Sequence, residues 1–177
     1  MGKPEWAVQN FWAPEIHIIG HSYVAYYTAR DSSGHLCIGV AYSEHPLGPY
    51  IDKGAPLLRN ATEGVIDATI QKFSNGTIYL VYKVDGNAHG KPTEIYAIQL
   101  TNDGKSLSGP HHLLFRDSLA WEHGIVEAPW VIEQDGEFFV FYSSCGYANT
   151  CYSVGVAKSK NFLGPYEKHP TPILHTR

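Results

Sequence analysis

One pattern is written three times along this chain, and a chain that repeats itself at this length has few folds open to it. The first copy, residues 11–58, reads "FWAPEIHIIGHSYVAYYTARDSSGHLCIGVAYSEHPLGPYIDKGAPLL". The second, 64–115, opens with "GVIDATIQKFSNGTIYLVYK" and closes with "TEIYAIQLTNDGKSLSGPHHLLF". The third, 124–174, starts "GIVEAPWVIEQDGEFFVFYSS" and ends "YSVGVAKSKNFLGPYEKHPTPIL". Each begins with a short apolar strand and a turn, "GHS", "SNGT" or "QDGE", followed by an aromatic strand, "YVAYYT", "IYLVYK" or "FFVFYS". A loop and an alternating strand come next, then Gly-Pro (Gly48-Pro49, Gly109-Pro110, Gly164-Pro165) ahead of a last short strand. Four strands in about fifty to sixty residues is the spacing of propeller blades. The expected fold class is all-β: a β-propeller of about three four-stranded blades, forming one partial domain over 1–177. A β-sandwich is the competing architecture, but it does not require the motif to recur. The 44% hydrophobic and 13% aromatic content, with 17 Gly and 11 Pro, suits short strands and turns, so few helices are expected.

The same composition excludes several classes of function. A net charge of -4 without a basic stripe argues against nucleic acid. No run of about eighteen apolar residues is present to span a membrane. The segment Met1-Gly2-Lys3-Pro4-Glu5 lacks an apolar core, so no secretory signal is expected in this chain. Cys145 and Cys151 bracket the loop "CGYANTC" and are either a disulfide, which suits an oxidising compartment, or two loop thiols. Cys37 alternates like a core residue. Asn60-Ala61-Thr62 and Asn75-Gly76-Thr77 match the glycosylation sequon, a match that chance also supplies. None of the histidines stands in a zinc spacing, so no metal is expected from them.

Alignment of the three copies puts Trp12, Asp67 and Glu127 at one equivalent position, at the start of each innermost strand. Propeller symmetry aims such residues at a shared central funnel. Two carboxyl groups and an aromatic in a concave site suit sugar-bond hydrolysis. One carboxyl, Glu127, should hold a proton for the leaving group, while an ionised neighbour, Asp67, keeps that proton in place. The indole offers a flat face to the C–H side of a sugar ring. Phe11 is expected beside Trp12 on the substrate side. His123 either approaches the funnel or caps a loop. Lys83 and Asp85 in "VYKVDGN" either reach substrate or form a turn. Arg116, Asp117 and Trp121 precede the third copy, where a rim contact is open to them. His17 reads as a hydrogen-bonded strand residue.

"FWAPEIH", "GVIDAT" and "IVEAPWV", each followed by a Tyr/Phe strand and a Gly-Pro turn, resemble glycoside hydrolase family 43 over nearly the whole chain. The resemblance implies a five-bladed propeller and inverting hydrolysis of arabinose- or xylose-containing polysaccharide or pentose oligosaccharide. "IYLVYKVDGNAHG" is similar to eukaryotic, particularly fungal, members. By the same resemblance, Glu127 is the general acid of the fourth blade, Asp67 the third-blade aspartate that tunes and orients it, and Trp12 a pocket residue of the second blade. "IDA" stands where many members have Ile-Asp-Pro, and "EAP" where many have Glu-Gly-Pro. The family needs no organic cofactor; calcium occurs in it, but no ligand set for it is visible in this sequence.

The chain reads as blades two to four, and no aspartate in the family's first-blade context precedes the first copy. Asp31 lies in the polar turn "RDSSGH" and is expected at a solvated hairpin tip. Glu15, three residues beyond Trp12, should point away from the funnel by strand alternation. His175 is no substitute for a fifth-blade histidine. Without a positioned base, worth about a hundred- to ten-thousand-fold, weak activity or none is expected. The competing readings are a non-catalytic carbohydrate-binding pseudo-enzyme or fragment and a purely structural propeller. Exposed blade edges imply a homo-oligomer, and the resemblance implies that the full-length form is secreted.

Overall fold

The computed structural model describes residues 2–176. Each repeat is an antiparallel sheet. The first has the order β1 (Ala7–Ile19), β2 (Ser22–Asp31), β3 (Leu36–Ser43), β4 (Ile51–Asp52), with β5 (Leu58–Arg59) also pairing β3. The second runs β6 (Val65–Lys72), β7 (Ile78–Val84), β8 (Glu94–Leu100), β9 (Leu107–Arg116). The third runs β10 (Val126–Gln134), β11 (Glu137–Ser144), β12 (Ser153–Ser159), β13 (Glu167–Lys168), with β14 (Leu174–His175) pairing β12. Among the described residues the helical elements are short 3-10 turns at Gly86–His89 and Ala120–Glu122. No helix there is long and apolar enough to cross a membrane. The chain is an all-β propeller array of three blades, as the repeats imply.

Strand alternation decides which sheet each side chain meets. In β7, Ile78, Leu80, Tyr82 and Val84 turn toward the first sheet, where they join Val24, Tyr26 and Ile38. Tyr79 and Val81 turn the other way, into a core with Val126, Val140, Tyr142 and Phe138 of the third sheet. The middle sheet is therefore buried on both faces, which is why β7 reads as an almost unbroken apolar run. Lys83 has the parity of Tyr79 and Val81. It is carried inward between the second and third sheets and is 2% exposed.

One tyrosine recurs in each aromatic strand, and each carries an aromatic stack. Trp6 lies on Tyr27 with centroids 6.0 Å apart, and Trp121 lies on Tyr142 at 6.1 Å. Room for the indoles comes from Gly39 and Gly155, the cross-strand partners of Tyr27 and Tyr142. A Cβ on Gly39 would come within 2.4 Å of the Tyr27 ring and 2.8 Å of Trp6. On Gly155 it would come within 2.6 Å of both Trp121 and Tyr142. In the second sheet the partner of Tyr82 is Tyr96, whose ring itself forms the stack, at 6.0 Å. A glycine is thus needed only where the second ring arrives from elsewhere in the chain. The buried phenols also find polar partners: Tyr27 donates to Asp52, Tyr142 donates to Glu122 at 2.8 Å, and Tyr82 pairs with His111 at 2.6 Å.

Two expectations need correction here. Gly109-Pro110 does not precede the last strand of the second sheet but lies inside β9, where Gly109 has φ 130° and the pairing with β8 shifts. A bulge absorbs the proline that a regular ladder would reject. Asp31 is no solvated tip. It is buried, accepts the Ser33 and His35 N–H groups at 2.9 and 3.0 Å, and pairs with Arg59 at 2.7 Å. Burial alone would raise its carboxyl, but Arg59 and the two amides outweigh it and hold it below the usual range.

Replacing Gly155 with alanine should destabilise the protein by about 1–3 kcal/mol, because the methyl must displace Trp121 or Tyr142 from a filled core. Urea unfolding followed by Trp fluorescence checks this. An unchanged midpoint would show that the indole yields without cost.

Candidate functional site

The innermost strands all break register at the same place. Pairing shifts between Trp12 and Glu15 in β1, between Ile66 and Thr69 in β6, and between Glu127 and Trp130 in β10. Within each break one residue adopts a left-handed backbone: Ala13 at φ 47°, Asp67 at 59° and Ala128 at 48°. These bulges correct the sequence alignment by one residue. Trp12, Ile66 and Glu127 are the equivalent set, and Asp67 corresponds to Ala13 and Ala128. Asp67 is nevertheless on the funnel, because the extra residue of a bulge suspends alternation and lets Ile66 and Asp67 line the same space. The bulge also corrects Glu15. Thr28 and Tyr26 are two residues apart and share a face, so their partners Trp12 and Glu15 share one too. Glu15 lines an adjoining hollow of about 270 Å³, and Asp67 contributes to both spaces.

Trp12, Asp67, Lys83 and Glu127 stand on one cavity of about 490 Å³, together with Asp85 and Arg30. Lys83 donates to Glu127 Oε2 at 3.0 Å and pairs with Asp85 Oδ1 at 2.9 Å. Burial would depress an isolated lysine here; the two carboxylates more than offset it and hold the ammonium above its ordinary range. Asp67 Oδ2 accepts the Ala128 N–H at 2.9 Å, so the carboxylate of one bulge pins the bulge that carries Glu127. Burial pushes the Asp67 carboxyl up, Glu127 and Asp85 add to the rise, and the Ala128 amide and Lys83 oppose it. That direction runs against an Asp67 that ionises readily, and its deep setting is the reason. Tyr152, also on the wall, is raised first by burial and then by the Glu127 and Asp67 carboxylates.

Other expected residues stand elsewhere. Phe11 stacks at 6.5 Å on Tyr27 and lines a separate apolar groove on the outer flank of the first sheet, away from Asp67 and Glu127. Trp12 borders this groove as well as the funnel, so its indole stands between Phe11 and the two carboxyl groups. His123, with φ 51°, caps the 3-10 turn Ala120–Glu122 and is not on the cavity wall. It lies beside Cys145 and Cys151, the three ligand atoms within 4.8 Å of one another, but the sulfurs are joined as a disulfide. Trp121 donates to the Pro170 carbonyl at 3.0 Å and packs on Tyr142, while Arg116 pairs with Glu94 at 3.1 Å.

Sequence reasoning missed Arg30, Asn87, Tyr147 and Tyr152, which line the cavity from the end of β2, from the segments after β7 and β11, and from just ahead of β12. It also missed Glu122. This side chain is fully buried, accepts the Ser118 and Leu119 amides at 2.7 and 2.8 Å, and pairs with Lys168 at 2.7 Å. Glu122 thereby fixes the turn that delivers the chain into β10 and Glu127. The only local signal for it was a carboxylate in the apolar neighbourhood of Trp121.

The family model described as "Glycosyl hydrolases family 43" matches residues 2–177. The chain belongs to that family. This family-43 chain is 28% identical over 159 residues to a β-D-galactofuranosidase, xynD, of Aspergillus niger, covering 87% of the chain and 42% of the relative. It is 26% identical to an extracellular endo-α-(1→5)-L-arabinanase 2 of Bacillus subtilis, covering 98% of the chain and 40% of the relative. A solved thermostable family-43 glycoside hydrolase superposes with a TM-score of 0.88 at 35% identity, covering 97% of this chain and 58% of that one. The family-43 chain thus spans about half the length of the relatives it matches.

The raised Asp67 carboxyl has a consequence for stability. An unfolded Asp67 loses its proton first as pH rises from acid, so the folded state binds more protons there and stability falls through that interval. Asp67→Asn, which keeps an acceptor for the Ala128 amide, should therefore raise the melting temperature at pH 7 to 8. The gain should shrink toward zero below about pH 3, where the carboxyl is protonated in both states. A gain that grows on acidification would contradict the assigned direction.

Proposed function

We propose that this chain carries the acid side of an inverting glycosidase site for arabinose- or xylose-containing glycans. The observation that carries the reading is the convergence of Asp67 and Glu127, from adjacent sheets, on one cavity with Trp12. The names of the relatives support the substrate class, since they include arabinanase, arabinofuranosidase and xylosidase. In this scheme Glu127 gives its proton to the glycosidic oxygen as the bond from the anomeric carbon breaks. Lys83 holds Glu127 Oε2, so Oε1 is the oxygen that meets the leaving group. Asp67 orients the acid by fixing the Ala128 amide, and its charge, when present, discourages early loss of the acid's proton. Trp12 supports the ring through its C–H face. Inversion also needs a base on the far side of the ring that takes a proton from the attacking water. The residues named here supply only the acid side. The names of the Bacillus subtilis and Streptomyces relatives include "extracellular", which supports an extracellular full-length protein, a setting in which the Cys145–Cys151 bond persists.

Hydrolysis of arabino- and xylo-oligosaccharides and of dinitrophenyl pentosides tests the assignment. Glu127→Gln should lower kcat on oligosaccharides by about 10²- to 10⁴-fold. The loss should be much smaller on the dinitrophenyl glycosides, whose leaving group departs without a proton. Equal losses on both would count against Glu127 as the acid. A folded chain that binds the oligosaccharides and hydrolyses nothing would count against catalysis and favour carbohydrate binding alone.

A further inference from the structure

Tyr147 is 85% exposed, yet it lies on the wall of the cavity that holds Asp67 and Glu127. A single exposed aromatic needs no explanation by itself. The loop that carries this one is unusually constrained. Cys145, with φ 67°, donates its N–H to the Glu122 carbonyl at 3.2 Å and is bonded to Cys151 six residues on. Inside that covalent ring the Asn149 N–H reaches the Gly146 carbonyl at 2.8 Å, and just past it the Tyr152 N–H reaches the Asn149 carbonyl at 3.2 Å. The Asn149 side chain occupies the space beside Gly146, where a Cβ would meet its Nδ2 at 2.6 Å. The chain thus presents a large apolar ring to solvent on a stiff support at the lip of a site. Pre-ordering of that kind lowers the cost of binding something that stacks.

We propose that the disulfide-closed loop from Cys145 to Cys151 forms a second sugar subsite, with Tyr147 as its stacking platform, so that the site takes a neutral oligosaccharide of at least two residues. This rests on the reading of the cavity as a glycan site. Trp12, 42% exposed, is the other solvent-facing aromatic on the same wall, and each flat ring can cover one sugar face. A volume of about 490 Å³ lies within the range of roughly 300–1,000 Å³ of small-molecule ligand pockets. Charge narrows the ligand further. Asp67, Asp85 and Glu127 face Arg30 and Lys83, which leaves no surplus of positive charge for a uronate.

Calorimetric or NMR titration with xylose, arabinose, xylotriose and arabinotriose tests the proposal without requiring turnover. Tyr147→Ala should weaken the better-bound trisaccharide by about three- to tenfold and leave its monosaccharide unchanged. Tyr147→Phe should retain most of the affinity, because the ring face and not the hydroxyl makes the contact. The double variant Cys145→Ser, Cys151→Ser should also lose affinity for the trisaccharide alone, with folding checked by circular dichroism. Tyr147→Ala binding that is unchanged for the trisaccharide, or weakened equally for both lengths, overturns the second subsite while Trp12→Ala still weakens both ligands. If the parent chain binds neither length and Trp12→Ala changes nothing, the glycan-site reading fails and takes this proposal with it.

Discussion

Because the middle sheet packs a neighbour against each of its faces, every residue of β7 must enter one core or the other, and Lys83 has no route to water along its own strand. A buried ammonium is tolerable only with partners. Glu127 from the third sheet and Asp85 from the end of its own provide them at 3.0 and 2.9 Å. The pairing ties packing to the site: the alternation that fills both cores also aims a cation at the carboxylate at the head of β10. Removing either side would leave a buried charge uncompensated, so the geometry of Glu127 and the packing of two sheets cannot vary independently.

The bulges of the innermost strands perform the complementary task. A regular strand would point Ile66 and Asp67 to opposite faces. Inserting one residue with a left-handed backbone sends both toward the axis, at a backbone cost on the order of 1 kcal/mol per site. Aspartate bears that conformation more readily than most side chains, whereas Ala13 and Ala128 gain nothing from it locally. Their conformation is imposed by the register break, and in the third sheet the hydrogen bond from the Ala128 amide to Asp67 helps to hold it. Asp67 is thus at once a member of the site and a clamp between two sheets.

Much of this was legible in the residues. Three copies of an apolar strand, turn, aromatic strand and alternating strand predict three four-stranded sheets; three sheets are present, and the first and third each add a short fifth strand. Turn chemistry at "SNGT" and "QDGE" predicts hairpins, and Asn75 does accept the Thr77 amide at 3.0 Å while Asp135 and Gly136 carry positive φ. Repeat logic brought Trp12, Asp67 and Glu127 together from distant positions, with an error of one residue at Asp67. Glu15 was misassigned for the same cause. Strict alternation was applied across a segment where a bulge suspends it, and nothing in "FWAPE" marks which residue is the extra one.

The sequence by itself determined the periodic part of this protein: three sheets, the blade class, and the appearance of a carboxylate at the head of β6 and of β10. These follow from local alternation and repetition, which need only neighbours along the chain. Tertiary structure alone decided the rest. It set which face Phe11 and Trp12 take, made Asp31 a buried partner of Arg59, placed Glu122 as the anchor of the turn before β10, and brought Tyr147 and Tyr152 to the cavity. Each of these depends on an atom supplied from another part of the fold, such as the Arg59 guanidinium, the Lys168 ammonium or the Cys151 sulfur. Burial, charge pairing and the disulfide are set by distances in space, and those distances exist only once the sheets have packed.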